Sequence, residues 1–224
     1  MSLAIGRVLT AEQRLYKATA DIIGHDDFVA LASVLMIGSK KIVDGLPTAC
    51  TNGRDELYGR EFVDSLNDAE FRFLVLHECY HKMYRHLTTW QELYKQDKRR
   101  ANMACDYVIN IKLTDADNGR GWIKMPEGGC LDPKYRDMNA KQVFDLLPPS
   151  DDEGQGEGSG EGTGFDDHDW EGAQGLSDDE QDALAKEIDE AVRQGSVMAG
   201  KCGSGGNRDL TELLEPKKNW RELL

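Results

Sequence analysis

This 224-residue chain lacks three features, and each absence narrows what it does. It has no run of about eighteen apolar residues, so no bilayer-spanning helix and no membrane partner are expected. It also lacks an N-terminal basic segment followed by a long apolar one, so no secretory leader is expected. Cysteines are few and scattered, at 50, 79, 105, 130 and 202, with no C-x-x-C pair. An odd, dispersed set excludes a disulfide framework or a structural zinc knot. The expected setting is reducing and cytoplasmic, with Cys79 and Cys105 as small core side chains in apolar helical surroundings.

Basic charge is a further shortage. There are 41 acidic and 27 basic residues, a net charge of −14. Sixteen of the acids and one lysine fall between residues 151 and 190, so the rest of the chain is close to neutral. Lys98-Arg99-Arg100 is a basic cluster too small for a phosphate backbone, and no nucleic-acid partner is expected. Hydrophobic content of 39% is enough for a core, and the length suits one good-sized domain or two small ones.

What is present centres on His77-Glu78-Cys79-Tyr80-His81. Two imidazoles four residues apart lie about one helical turn from each other, on one face. With the intervening glutamate they form the H-E-x-x-H pattern, two zinc ligands and a general base on one helix. Asn67 and Glu70 form a capping box at the start of that helix. Phe71, Phe73, Leu74, Val75 and Leu76 make it apolar almost all round, hence buried. A buried helix must satisfy three polar side chains, either by a hydrogen-bonded cluster or by a metal, and a metal pairs both imidazoles at once.

Zinc needs a third protein ligand. His86 lies five residues past His81, about 140° around a continuing helix, which turns it away from the site. It is therefore expected to be a surface residue or an outer partner. His25 and His168 are isolated. The next helix, over residues 90–113, is apolar on most sides but carries Asn102, Asp106 and Asn110 as one polar stripe. Asp106 is the candidate third ligand, with orientation of a histidine as its other possible role. Tyr107 and Tyr135 are candidates for steadying an oxyanion.

Elsewhere, residues 11–23 read as an amphipathic helix capped by Thr10. Residues 28–37 form an apolar run, helix or buried strand. Asn52-Gly53 predicts a hairpin turn between 48–51 and 57–58, leading into the metal helix. Residues 118–147 are loop-rich, either walling a cleft or covering the core, and end in a weak helix from 140. Residues 151–164 alternate glycine with acids and read as a self-repelling linker. The segment FDDHDWEG after it is expected to dock on the body as a plug, or to be a sticky patch on the linker. Ser177 and Glu180 box the start of a helix to about residue 193, before a glycine-rich stretch and a terminal helix pair around Pro216.

The strings HECYHKMYRH, ACDYVIN and GGCLDPKY, with TNGRDELYGREFVDSL before them and PKKNWRELL late, carry a family resemblance. Together they resemble the zincin-like metallopeptidase domain that precedes a von Willebrand factor A-like domain in bacterial and phage proteins. The similarity covers most of residues 10–148, with scattered agreement near 165–170 and 216–224. It implies His77, Glu78, His81 and Asp106 as the site, and a von Willebrand factor A-like domain as a partner.

The expected fold is α+β. A zincin-like helical core with a small edge sheet spans residues 1–148, an acidic Gly-rich linker 149–176, and a helical tail 177–224. The expected function is zinc-dependent cleavage of a peptide or protein. In it, Zn²⁺ sits on His77, His81 and Asp106, and Glu78 acts as general base. The competing reading is a non-catalytic metal-binding interaction module. An intact Glu78 argues against it, because a purely structural zinc site needs no base.

Overall fold

The structure is a computed structural model and describes residues 8–150, 169, 172–173 and 175–203. The terminal helix pair and most of the acidic linker, His168 included, lie outside the described residues. The fold is α+β, mostly helical, with one small mixed sheet. Among the described residues no helix is long and apolar enough to cross a membrane.

Helix α1 (Ala11–Ile23) starts at Thr10, whose hydroxyl accepts from the Gln13 amide while the Gln13 side chain reaches back. It buries Ala11, Leu15, Ala18 and Ile22. The apolar run that follows is neither one helix nor a strand. It forms a 3-10 turn (Val29–Leu31) and one turn of α2 (Ala32–Leu35), almost wholly buried.

The sheet has the order β1-β3-β2. Strands β2 (Ala49–Thr51) and β3 (Glu56–Gly59) form the expected antiparallel hairpin, with Ala49 opposite Tyr58. A third strand was not foreseen: β1 (Lys40–Val43) runs parallel to β3, with Lys40 opposite Glu56. Its side chains are largely half-exposed, so it lacks the alternation that betrays a strand in sequence. Helix α3 (Arg60–Ser65) then leads into α4 (Asp68–Met83), which carries the H-E-x-x-H motif. Asn67 and Glu70 form the expected box, and every residue of α4 from Phe73 to Met83 is buried.

The expected helix over 90–113 is broken in two. After the short α5 (His86–Thr89), α6 (Gln91–Gln96) stops at Asp97, where the backbone is extended. Asp97 caps α7 (Lys98–Asp117) by accepting from the Arg100 amide, and also takes both the amide and the hydroxyl of Ser150. Helix α8 (Ala140–Leu146) packs on α7.

The loop between α7 and α8 is pinned by Asp117, whose carboxylate accepts from the amides of Gly121, Trp122 and Ile123. Ile123 and Cys130 are buried, so this loop covers the core.

The last helix, α9 (Asp178–Cys202), outruns its expected end at residue 193 and passes straight through Gly195 and Gly200. It lies on the 3-10 turn so closely that a Cβ at Gly195 would fall 1.8 Å from the Ala30 carbonyl oxygen. A glycine inside a helix weakens it, unless a neighbouring backbone must approach that closely. Near the docking segment proposed from sequence, the Asp169 amide donates to the Thr51 carbonyl. Ala173 is buried in the cluster that holds Leu87, Ala101, Ala104 and Val108.

Candidate metal centre

Helix α4 presents His77 and His81 one turn apart, and α7 packs across that face with Asp106 and Asn110 one turn apart in turn. His77, Glu78 and His81 are fully buried and Asp106 is 1% exposed. The two Nε2 atoms are 3.0 Å apart. Asp106 Oδ1 lies 3.7 Å from Nε2 of His77 and 3.5 Å from Nε2 of His81. The three side chains can thus each offer a ligand atom to one ion, with these atoms all within 4.8 Å of one another.

The triangle matches a tetrahedral ion. Bonds of about 2.0–2.1 Å at tetrahedral angles put ligand atoms roughly 3.3 Å apart. The three observed separations straddle that value. Two neutral imidazoles and a carboxylate are also a usual zinc donor set. A like arrangement in a plain hydrogen-bonded cluster would not need all three atoms to converge.

The second nitrogen of each ring is held from outside the triangle. His77 Nδ1 is 2.9 Å from Asn110 Oδ1, and Asn110 Nδ2 donates to the Cys130 carbonyl at 3.1 Å. His81 Nδ1 is 3.3 Å from Nδ1 of His86. His86 was expected as a surface residue or an outer partner, and the structure shows the outer partner, although the continuing helix that was to turn it away is absent. Helix α4 does not continue: it ends at Met83, and Arg85 adopts the left-handed conformation with φ 54°. That turn brings His86 back against His81, buried at 3% exposure, with its ring stacked on Tyr84. Neither glycine nor asparagine marks the stop, so no sequence signal announced it. Arg85 instead pairs with Asp189 of α9, a contact remote in sequence.

Behind the motif lies a second buried polar group. Lys82, four residues after Glu78, meets Glu56 of β3 at 2.5 Å with both side chains fully buried, and donates to the Ile37 carbonyl. Tyr58 donates to Glu56 at 2.5 Å, and Lys40 approaches the same carboxylate at 3.5 Å. Burial opposes the Lys82 charge, but Glu56, helped by Glu78, outweighs it and raises this lysine above its ordinary value. Burial, then the charges of Glu56 and Glu78, drive the Tyr58 phenol well up. Burial likewise pushes the Cys79 thiol up to about 12, so it is an inert core side chain. Glu78 follows His77 directly in the helix, and its charge acts on Lys82 and Tyr58 of this second group.

The remaining candidates lie elsewhere. His25 packs against Trp122, ring centroids 3.9 Å apart and planes tilted by 35°, next to Asp27. Tyr107 and Tyr135 pair with each other, ring centroids 4.8 Å apart, in the cluster between α7 and α8. Asn102, at the far end of the polar stripe, is only half-buried, whereas Asp106 and Asn110 are buried.

No curated protein and no solved structure gives a significant match to the chain. A family model described as "Putative metallopeptidase domain" matches residues 10–224. That span extends the similarity from the motif region through α9 to the last residue. The His-Glu-x-x-His helix, its facing aspartate and this near full-length match lead to one conclusion: the chain belongs to that metallopeptidase-domain family.

Proposed function

We propose that this protein is a zinc-dependent peptidase with a zincin-like core, in which His77, His81 and Asp106 hold the metal and Glu78 is the general base. The observation that carries the reading is the triangle of three donor atoms with Glu78 next to it in the same buried helix. Zinc held there supplies Lewis acidity, polarising a peptide carbonyl and lowering the pKa of water toward about 7. The rest falls to the chain's own groups. Glu78 accepts a proton from the attacking water and hands it to the amine nitrogen of the leaving peptide. Asn110 holds the His77 imidazole in place. The apolar packing around α4 keeps bulk water from screening these charges.

One observation favours the alternative of a metal-stabilised, non-catalytic module: all four site residues are closed off from solvent. A carboxylate that is no ligand has no task in such a module, so Glu78 divides the two readings. The test is hydrolysis of an unfolded protein and of a mixed peptide pool by zinc-loaded protein, against Glu78→Gln. The peptidase reading expects cleavage that falls about 10²–10⁴-fold in Glu78→Gln with zinc retained. Zinc-loaded wild type that cleaves neither substrate would leave the module reading standing, and a Glu78→Gln variant that cleaves as fast would remove Glu78 from the role of general base.

A further inference from the structure

The hydrogens of the site can be traced from one fixed end. A backbone carbonyl only accepts, so the Asn110 group facing Cys130 is the amide nitrogen, which leaves Oδ1 facing His77. Oδ1 also only accepts, so His77 Nδ1 carries the ring hydrogen, and its Nε2 offers a lone pair toward Asp106. A serviceable centre requires the same of His81. Its Nε2 faces His77 and Asp106, so its Nδ1 must carry the hydrogen, and whatever faces Nδ1 must accept it.

The group facing it is His86, with Nδ1 at 3.3 Å and its ring nearly perpendicular to that of His81, at 80°. We propose that His86 is a positioning residue for the metal centre. Its Nδ1 accepts the Nδ1 hydrogen of His81 and holds His81 in the tautomer whose Nε2 lone pair points to Asp106. The inference rests on the metal reading above and adds to it a residue outside the H-E-x-x-H motif.

The local fold serves this placement. The left-handed turn at Arg85 reverses the chain after α4, and the Tyr84 ring stacks on His86 at 16° between planes. Burial to 3% exposure hinders bulk water from replacing the imidazole as acceptor. The hydrogen of His86 then sits on its own Nε2. Both ligand histidines are thus backed by a neutral acceptor, Asn110 for His77 and His86 for His81, where a carboxylate is the commoner partner.

Two substitutions separate an acceptor from a mere filler. In His86→Asn a carbonyl Oδ1 stands close to where the imidazole Nδ1 stood; in His86→Leu the space is filled with no acceptor at all. Cobalt(II) and zinc affinities are measured by competition with a chelator, beside thermal unfolding of the metal-free proteins. The expected result is near wild-type affinity for His86→Asn and a loss of about 10–100-fold for His86→Leu. Nitrogen-15 shifts of the His81 ring in zinc-loaded wild type are expected to put the hydrogen on Nδ1. His86→Leu binding as tightly as wild type overturns the proposal, as does His86→Asn binding as weakly as His86→Leu. If His86→Leu does not fold, the His81 ring decides: zinc bound through Nδ1 overturns the proposal. Wild type that takes up neither metal removes the metal reading and this inference together, whereas tight binding that ignores His86 removes this inference alone.

Discussion

Asn110 Oδ1 lies 2.9 Å from Nδ1 of His77, on the side of the ring away from Asp106. The same amide donates to the Cys130 carbonyl, so one side chain ties α4, α7 and the loop after α7 together. Asn110→Leu removes both bonds and leaves the Cys130 carbonyl and His77 Nδ1 buried without this partner. Metal affinity is expected to fall about 10–100-fold, with a stability loss of about 1–3 kcal/mol in the metal-free protein. Chelator competition and urea unfolding measure the two effects separately. An unchanged affinity would show that His77 needs no such orientation.

The buried pair Lys82–Glu56 predicts an asymmetry between single and double variants. Removing one partner strands a charge in the core, at a cost of about 3–5 kcal/mol, whereas apolar or neutral replacement of both is far milder. Glu56→Gln alone should therefore destabilise strongly, and adding Lys82→Met should recover much of the loss. Lys40, 3.5 Å from Glu56 and partly exposed, limits the recovery. Urea midpoints of the four proteins test this. Simply additive losses would mean that the two groups act independently.

Much of this was legible in the chain. Thr10, Asn67 and Ser177 cap helices as their local chemistry dictates, and Asn52-Gly53 turns the hairpin. The convergence of Asp106 on the two histidines was also readable, because polar residues at i, i+4, i+8 in an apolar helix need a common face. What stayed hidden depends on distant partners. Arg85 adopts positive φ with no glycine, and its side chain is paired with Asp189. The break at Asp97 is tied by Ser150. Strand β1 is defined by β3 across a connection that local periodicity cannot see.

Gly195 gives a prediction with an inverted sign. In an exposed helix, glycine to alanine stabilises by about 0.5–1 kcal/mol. Here the new Cβ would meet backbone at Ala30, which cannot swing aside, so Gly195→Ala is expected to destabilise and to loosen α9 from the 3-10 turn. Thermal unfolding, with hydrogen exchange at residues 29–31, checks both parts. A raised melting temperature would contradict this packing.

Asp117 gives a pH dependence. Burial works to raise its carboxyl, but the amides of Ile123, Gly121 and Trp122 outweigh this and hold it below the ordinary 3.8. A depressed folded value means the unfolded state binds the proton more readily. The stabilisation is thus complete above about 3.8 and is lost as pH falls from there through the lowered value. Asp117→Asn should lower stability at neutral pH by about 1–3 kcal/mol, with a smaller difference from wild type in acid. Urea unfolding across that range measures it, and a gap that does not narrow in acid would contradict the assignment.

The claim that everything else depends on is that His77, His81 and Asp106 form one metal site. It is tested most directly by metal content and chelator-competition affinity of the full chain, purified under reducing conditions, beside Asp106→Ala and His77→Ala. The account predicts one zinc per wild-type chain, and a large loss of affinity in each variant while the metal-free proteins stay folded. Wild type that binds no zinc, or Asp106→Ala that binds it as tightly as wild type, would contradict it.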